Sequence, residues 1–276
     1  MSFFQPIQSK PRLQSGQPRR SEVNCSTYCA CLSTSSRPPN APLIITLHGG
    51  RGFGDHTSDF QAYSPLSDQY RVLSFDFRGH GRSSRTKPYT FAQIVEDIEG
   101  ILQAQQYPVL SVAAVSEGFW RSDEEQAIKV LEQRLHKAPG LSVEMLRNKI
   151  FGRFDSDLEF RLVMHAAAPL YSEKFDANIA LQKNLDTVFF AESIVSNDLY
   201  AEPEKFFDYR DDLPKITAKT LVIVGEKDWI CPPVQSEFIA SRIPRARLEV
   251  VSNANHSVHL EQNALVIEMI REHLKS

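Results

Sequence analysis

The chain has 276 residues, of which 42% are hydrophobic and 24% charged, as is typical of a globular protein that buries a large core. The formal net charge of -3 argues against nucleic acid or an anionic membrane as the main partner. No apolar run is long enough to predict a membrane-spanning helix and no secretory signal is evident, so a cytoplasmic location is expected.

The N-terminal part of the chain is predicted to contribute little to the core. Residues 1–20 are polar and rich in Arg and Ser, which favours a flexible tail. Residues 21–33 alternate loosely between apolar and polar side chains and predict edge strands. They contain three of the four cysteines, too closely spaced for a zinc site and without a histidine nearby. We interpret all four cysteines as reduced thiols, which again favours a cytoplasmic protein.

Short apolar runs without polar alternation are typical of strands that are buried on both faces of a parallel sheet. A helix pattern with one apolar face covers residues 91–105, and another ends the chain from about residue 258. Strands that alternate with helices predict a mostly parallel sheet with right-handed crossover connections. The predicted buried strands are 43–47, 71–75, 109–115, 220–225 and 247–251.

A long segment in the second half of the chain differs from the rest. Residues 122–212 are charged, rich in Phe and helical in pattern, with no clear strand. A helical block inserted before the last two strands predicts a lid. We therefore expect a flexible tail at 1–20, an α/β core formed by 21–118 and 213–276, and a helical lid at 119–212.

Three of the predicted strands end in residues that can carry chemistry, and such ends meet at one edge of a parallel sheet. The first is followed by His48-Gly49-Gly50, a stretch that suits either a close approach of backbone N–H groups to a ligand or a tight turn. Asp228 follows the fourth strand, and His256 and His259 follow the fifth. An acid could orient a histidine that acts as general base, although a solvated acid and an inert loop histidine are the alternatives.

The segments LHGGRGFGDH, SFDFRGHGRSS, GEKDWICPP and ANHSVH together resemble the proline iminopeptidase-like branch of the α/β-hydrolases. The resemblance implies an α/β-hydrolase fold, with a mostly parallel sheet, helices on both faces and a helical lid insertion. It also implies that Gly50 supplies an oxyanion-hole amide, Asp228 is the triad acid and His256 the triad base. Many members have Pro where this chain has Arg51, which could reach a carboxylate near the site or be exposed.

The nucleophile departs from the family's pattern. Relatives carry a glycine-flanked Ser on a sharp turn between a strand and a helix. This chain has no G-x-S-x-G, and the nearest match, AVSEG at 114–118, makes Ser116 the candidate nucleophile. Val115 is β-branched and resists the positive φ of such a turn. A lid-like helix then begins soon after Gly118, which leaves no room for an elbow helix and a further strand.

A second interpretation accounts for the same residues. Residues 104–108 resemble the end of the helix that follows the elbow in relatives, and 111–115 would then be the next strand. On the order of 25 residues, enough for one strand, one turn and one helix, would be missing near Ile101–Gln103. The chain would then be a catalytically impaired relative that lacks its nucleophile.

The resemblance also points to the lid as the source of substrate specificity. Aminopeptidase members hold the substrate α-amine with lid carboxylates, and the candidates here are Glu192 and Asp198, which could equally be surface acids. A group of lid aromatic residues could line an apolar pocket for a proline ring or could pack within the lid: Phe189, Phe190, Phe206 and Phe207.

The sequence thus predicts a serine hydrolase that releases N-terminal proline, or a similar residue, from short peptides through an acyl-enzyme. No metal-ligand cluster, Walker loop or dinucleotide fingerprint is visible, so no cofactor is expected. The expected partner is a small peptide or a small-molecule ester or amide. The alternatives are the impaired relative and an esterase or amide hydrolase of small-molecule metabolism.

Overall fold

The protein is an α/β structure in which helices pack on both faces of mostly parallel strands, as the sequence predicts. This computed structural model describes residues 19–25, 28–34, 41–49, 51, 54–105, 109–114, 121–186, 193–201 and 204–275, and the architecture is that of these ranges. Within them, no helix combines the length and the apolar character that a membrane crossing requires.

The strands and helices follow one another in an alternating order that is broken by one long run of helices. The strands are β1 (Arg19–Cys25), β2 (Tyr28–Thr34), β3 (Leu43–Leu47), β4 (Arg71–Phe75), β5 (Val109–Ala114), β6 (Thr220–Gly225) and β7 (Ala246–Val251). The helices are α1 (Thr57–Tyr63), α2 (Phe91–Gln105), α3 (Arg121–Arg134), α4 (Val143–Met145), α5 (Asp157–Ala167), α6 (Ala177–Asp186), α7 (Ser193–Leu199), α8 (Pro233–Arg242), α9 (Val258–Glu261) and α10 (Asn263–Lys275).

Five strands form one sheet in the order β1-β2-β4-β3-β5. The antiparallel pair of β1 and β2 lies at one edge, and β2 pairs antiparallel with β4. The strand β3 pairs in parallel with both β4 and β5, so that Leu47 lies opposite Phe75 on one side and Ala114 on the other. The order of the parallel strands reverses at β3, and ligands of open α/β sheets bind beyond the carboxyl ends of the strands at such a point.

The last two strands form a separate parallel pair, with Thr220 opposite Ala246 and Gly225 opposite Val251. Among the described strands, no ladder of hydrogen bonds joins β5 to β6. Only residues 115–120 separate the end of β5 from the start of α3. So short a connection cannot hold both a crossover helix and a strand.

The apolar run of β3 is buried from both sides, which explains its lack of alternation. Leu43 and Ile45 face α2, where they pack in one cluster with Ile101. Ile44 faces the opposite side, where it packs with residues of α1 and with Ile267 of α10. Each of the three strand residues is at most 2% exposed, so both faces of the strand contribute to the core.

The helices of the long inserted segment share a core with the loop that follows β6. Trp229 and Ile230 of that loop are buried in one cluster with Phe151, Phe160 and Leu170. The indole Nε1 of Trp229 donates a hydrogen bond to the Leu170 carbonyl over 2.8 Å. The inserted helices and the loop after β6 are therefore one packed unit.

A buried ion pair ties α2 to the turn that follows β4. Arg78 donates from Nε and Nη2 to the two oxygens of Asp97, each over 2.5 Å, and both side chains are at most 6% exposed. Arg78 also donates to the carbonyls of Thr86 and Pro88. Such a two-point pair fixes geometry, and removal of one partner leaves a charge uncompensated in the interior.

We expect Asp97→Ala to lower the free energy of unfolding by about 3–5 kcal/mol, because it leaves the Arg78 guanidinium buried without its carboxylate. Urea denaturation followed by circular dichroism measures the change. The double variant Arg78→Met/Asp97→Leu should recover much of the loss, since no buried charge remains. A double variant as unstable as the single one would contradict this account.

Candidate active site

A cavity of about 290 Å3 lies where three strand ends meet the inserted helices. His48, Gly49 and Arg51 reach it from the end of β3. Ile230 lines it from the loop after β6, and His256 lines it from the loop after β7. The structure thus brings together, around one cavity, the three strand ends that the sequence singles out.

Asp228 and His256 are hydrogen-bonded to each other at this cavity. His256 Nδ1 lies 3.0 Å from Oδ2 and 3.2 Å from Oδ1 of Asp228, and the two side chains are only 10% and 6% exposed. The carboxylate is itself held by the backbone N–H groups of Ile230 and Cys231, which donate to Oδ1 over 3.0 and 2.9 Å. A carboxylate held in this way keeps the imidazole proton on Nδ1, which makes Nε2 the basic nitrogen.

The residue before His256 fixes the loop that carries it. Asn255 is fully buried, and its Oδ1 accepts the backbone N–H of His256 over 2.8 Å. Its Nδ2 donates to the Leu170 carbonyl over 3.1 Å and to Glu173 Oε1 over 2.9 Å. The histidine loop is therefore bonded directly to the inserted helical segment, at the same carbonyl that accepts from Trp229.

The loop after β3 is held by the turn that follows β4. His48 Nε2 accepts the backbone N–H of Phe77 over 3.0 Å, and Nδ1 lies 2.9 Å from the Gly49 carbonyl, so the ring carries its proton on Nδ1. Asp76 accepts from both the backbone N–H and Nδ1 of His56, over 2.8 and 2.7 Å. The backbone N–H of Arg82 donates to its other oxygen over 3.0 Å. Two consecutive strand ends are thus locked together beside the cavity.

Opposing effects act on the Asp76 carboxyl. Burial on its own would raise the pKa of Asp76. The hydrogen bond and charge of His56, together with the backbone N–H groups of Arg82 and His56, outweigh burial and hold the pKa below its usual value. The ionised form of Asp76 is therefore the one that stabilises this part of the fold.

A second acid–histidine pair lines the same cavity. His259 Nε2 lies 3.0 Å from Asp59 Oδ1, and the His259 ring stacks on Tyr63 with 5.9 Å between centroids. Burial and the nearby Asp59 carboxylate raise the pKa of Tyr63, which keeps the phenol protonated. Sequence reasoning placed His259 near the site but did not single out Asp59, whose only distinction is its place in the first turn of α1.

The aromatic wall of the cavity comes from Phe151, Phe154 and Phe160, which lie in the long helical segment between β5 and β6. Phe207 is not among the residues that line the cavity and instead packs against Phe91, with 4.9 Å between ring centroids. Of the two alternatives for Phe207, the structure therefore shows packing, here against α2.

Other predicted residues fall elsewhere. Asp198 accepts a hydrogen bond from Lys87 Nζ over 2.9 Å, and the Asp198 side chain is about one third exposed. Asp198 is therefore a surface acid. Ser116, Gly50 and Glu192 lie outside the described residues, as do Phe189 and Phe190. Phe206 is described but is not among the residues that line the cavity. In the described ranges, no group of three or more His, Cys, Asp or Glu side chains could hold a metal ion.

Comparisons with known proteins place this arrangement in a family context. Residues 44–269 match the model of the alpha/beta hydrolase family. The chain is 57% identical to the proline iminopeptidase PfmaB of Pestalotiopsis fici, across 86% of this chain and 93% of that protein. It is 26% identical to 3-oxoadipate enol-lactonase 1 of Acinetobacter baylyi, across 87% and 91% of the two chains. The solved enol-lactonase from Burkholderia xenovorans has the same fold, with a TM-score of 0.67 at 18% identity over 93% of this chain and 100% of that one.

The match to the Pestalotiopsis fici protein has an internal length difference. The alignment has 264 positions, but it covers 86% of this 276-residue chain, which is about 237 residues. About 27 positions of the alignment therefore stand opposite gaps in this chain. The total is similar in size to the roughly 25 residues, enough for one strand, one turn and one helix, that the second interpretation of the sequence takes as missing near Ile101–Gln103.

We expect the Asp76 carboxylate to give the fold part of its resistance to acid. Because its folded-state pKa is depressed, the stabilisation is complete above its unfolded-state pKa of about 4 and is lost as the pH falls through the lower folded-state value. Asp76→Asn should lower the free energy of unfolding at pH 7 and reduce its further loss between pH 5 and pH 3. Urea unfolding at each pH measures both effects.

The exposed Asp211 provides the control. Asp211→Asn should leave both the free energy at pH 7 and its acid dependence close to those of the parent chain. An Asp76→Asn variant whose stability falls with acid as steeply as that of the parent would contradict the role assigned to Asp76.

Proposed function

The chain belongs to the α/β-hydrolase family, as a proline iminopeptidase-like member, and we propose that it releases N-terminal proline or a similar residue from short peptides through an acyl-enzyme. The observation that carries this proposal is the Asp228–His256 hydrogen bond at the wall of the cavity. A carboxylate-held imidazole at a cavity wall is the general base that acyl transfer requires.

Ser116 is the proposed nucleophile. Two features support it: β5 pairs in parallel with β3 beside the cavity loop, and Ser116 lies between the end of β5 and the start of α3. A strand, a turn that carries the serine and a helix are the context in which α/β-hydrolases present this residue. Only Val115 stands in the sequence between Ser116 and Ala114, the last residue of β5.

The proposed reaction has two halves. His256 Nε2 takes the Ser116 hydroxyl proton as the oxygen attacks the prolyl carbonyl carbon, and a backbone N–H of the loop at Gly50 stabilises the oxyanion. The C–N bond then breaks, His256 gives the proton to the leaving amine, and proline remains as an ester of the serine. Water, deprotonated by His256, attacks this ester and restores the serine hydroxyl. Asp228 stabilises the imidazolium in both halves.

The cavity supports a small substrate with an apolar N-terminal residue. Its volume of about 290 Å3 lies at the lower limit for ligand pockets. The aromatic wall formed by Phe151, Phe154 and Phe160 suits a proline ring. Glu192 stays the predicted partner of the substrate amine, by the resemblance to aminopeptidase members.

Prolyl arylamide hydrolysis tests the proposal. We expect a measurable rate for the parent chain and a loss of about a thousandfold or more in kcat/KM for His256→Ala, because no base remains to activate the nucleophile. The exposed His136 serves as a matched control, and His136→Ala should keep the parent rate. Hydrolysis of aryl esters without any hydrolysis of arylamides would sink the peptidase assignment and favour an esterase of small-molecule metabolism.

The nucleophile can be mapped directly. A fluorophosphonate probe should add once to the parent chain, at Ser116, as located by mass spectrometry of peptides. Ser116→Ala should abolish both the adduct and the hydrolysis, whereas the exposed Ser241→Ala should preserve both. Labelling at another serine would refute Ser116 as the nucleophile.

The second candidate is an impaired hydrolase relative that binds a small molecule without cleaving it. Two observations favour it: no ladder joins β5 to β6 among the described strands, and the alignment with the Pestalotiopsis fici protein leaves a gap of about 27 positions in this chain. A folded parent chain that takes no fluorophosphonate and cleaves no arylamide or ester would establish this candidate over the first.

A further inference from the structure

Arg51 is a buried cation at the cavity. It follows the glycine pair at the end of β3, lines the cavity and is only 6% exposed. Nη1 donates to the Leu199 carbonyl over 2.9 Å, and the guanidinium carbon lies 4.3 Å from the centroid of the Tyr200 ring. Nη2 is buried and has no hydrogen-bond partner in the described part of the chain. The guanidinium therefore keeps a buried donor group without a partner, in a residue that lines the cavity.

The charge of Arg51 is not balanced by an acid among the described residues. Two acids line the same cavity, but both have other contacts: Asp59 pairs with His259, and Asp55 accepts the backbone N–H of Thr57 over 2.8 Å. The rings of Tyr200, Phe91 and Phe207 offset part of the cost of burial by cation–π contact. A buried cation without a counter-anion is costly, so an anion supplied by a ligand would complete this site.

The chemistry of the donor selects the kind of anion. A guanidinium presents a planar fork of N–H groups that matches the two oxygens of a carboxylate. The cavity volume of about 290 Å3 suits a small molecule. The rest of the wall is rich in aromatic side chains, so the ligand combines one carboxylate with an apolar part.

We propose that Arg51 binds the free C-terminal carboxylate of the substrate, which makes proline-first dipeptides the preferred substrates of this enzyme. This inference rests on the proposed peptidase function. In a dipeptide the carboxylate lies one residue beyond the scissile bond, and consecutive Cα atoms are about 3.8 Å apart. Arg51 follows Gly50 directly in sequence and lines the cavity, so it is the cation that we assign to this carboxylate.

The test compares prolyl-alanine with prolyl-alaninamide, which differ only in the carboxylate. The parent chain should prefer the acid by about 10–100-fold in kcat/KM, the value of a charge-assisted hydrogen bond. Arg51→Gln should bring the acid-to-amide ratio close to one, and Arg51→Lys should retain part of it. The exposed Arg161→Gln on α5 is the matched control and should keep the parent ratio.

The outcomes separate the two proposals. Prolyl arylamide lacks the carboxylate, so its hydrolysis tests the peptidase function alone. If prolyl arylamide is cleaved but prolyl-alanine and prolyl-alaninamide react at equal rates, the role of Arg51 is overturned and the peptidase function stands. If no prolyl substrate is cleaved, calorimetric titration of the parent chain with the same dipeptide pair decides: tighter binding of the acid supports the Arg51 site, and equal binding refutes it. If Arg51→Gln does not fold, the acid-to-amide ratio of the parent chain decides by itself: a preference for the acid supports the site, and a ratio of one refutes it.

Discussion

The Leu170 carbonyl is the point at which the parts of the site are joined. It accepts one hydrogen bond from Trp229, next to Asp228, and another from Asn255, next to His256. Because β6 and β7 have no described ladder to the larger sheet, their position beside the cavity depends on packing and on bonds of this kind. One backbone oxygen of the inserted segment thus constrains both loops whose side chains must meet, and a carbonyl with two lone pairs can satisfy both donors.

The parts of the fold that follow from local pattern could be predicted. The runs at β3 and β4 lack alternation because they are buried, and the order of acid and histidine after the last two strands follows from family motifs. The strands β6 and β7 form where the sequence predicts them but are not fully buried: β6 is half-buried over most of its length, and Val250 of β7 is 45% exposed. The Asp59–His259 pair could not be predicted, since it joins helices far apart in sequence through one 3.0 Å contact. The choice between the two alternatives for Phe207 could not be made from the sequence for a similar reason, since nothing there shows that its ring packs against Phe91.

The break between the two sheets has a simple origin in chain length. A parallel strand can follow another only after a crossover of a dozen or more residues. Residues 115–120 are all that separate β5 from α3, and the described chain then has helices but no strand as far as α7. The short connection after β5 leaves no room for an elbow helix and a further strand. The same constraint leaves β6 and β7 as a separate pair among the described strands.

The shared core of the inserted helices and the loop after β6 bears on how these helices can move. Trp229 and Ile230, one and two residues after Asp228, are buried among Phe151, Phe160 and Leu170. A movement that lifted these helices as one rigid body would unpack both side chains and pull on the carboxylate beside them. The covering helices and the loop that holds Asp228 therefore form one mechanical element.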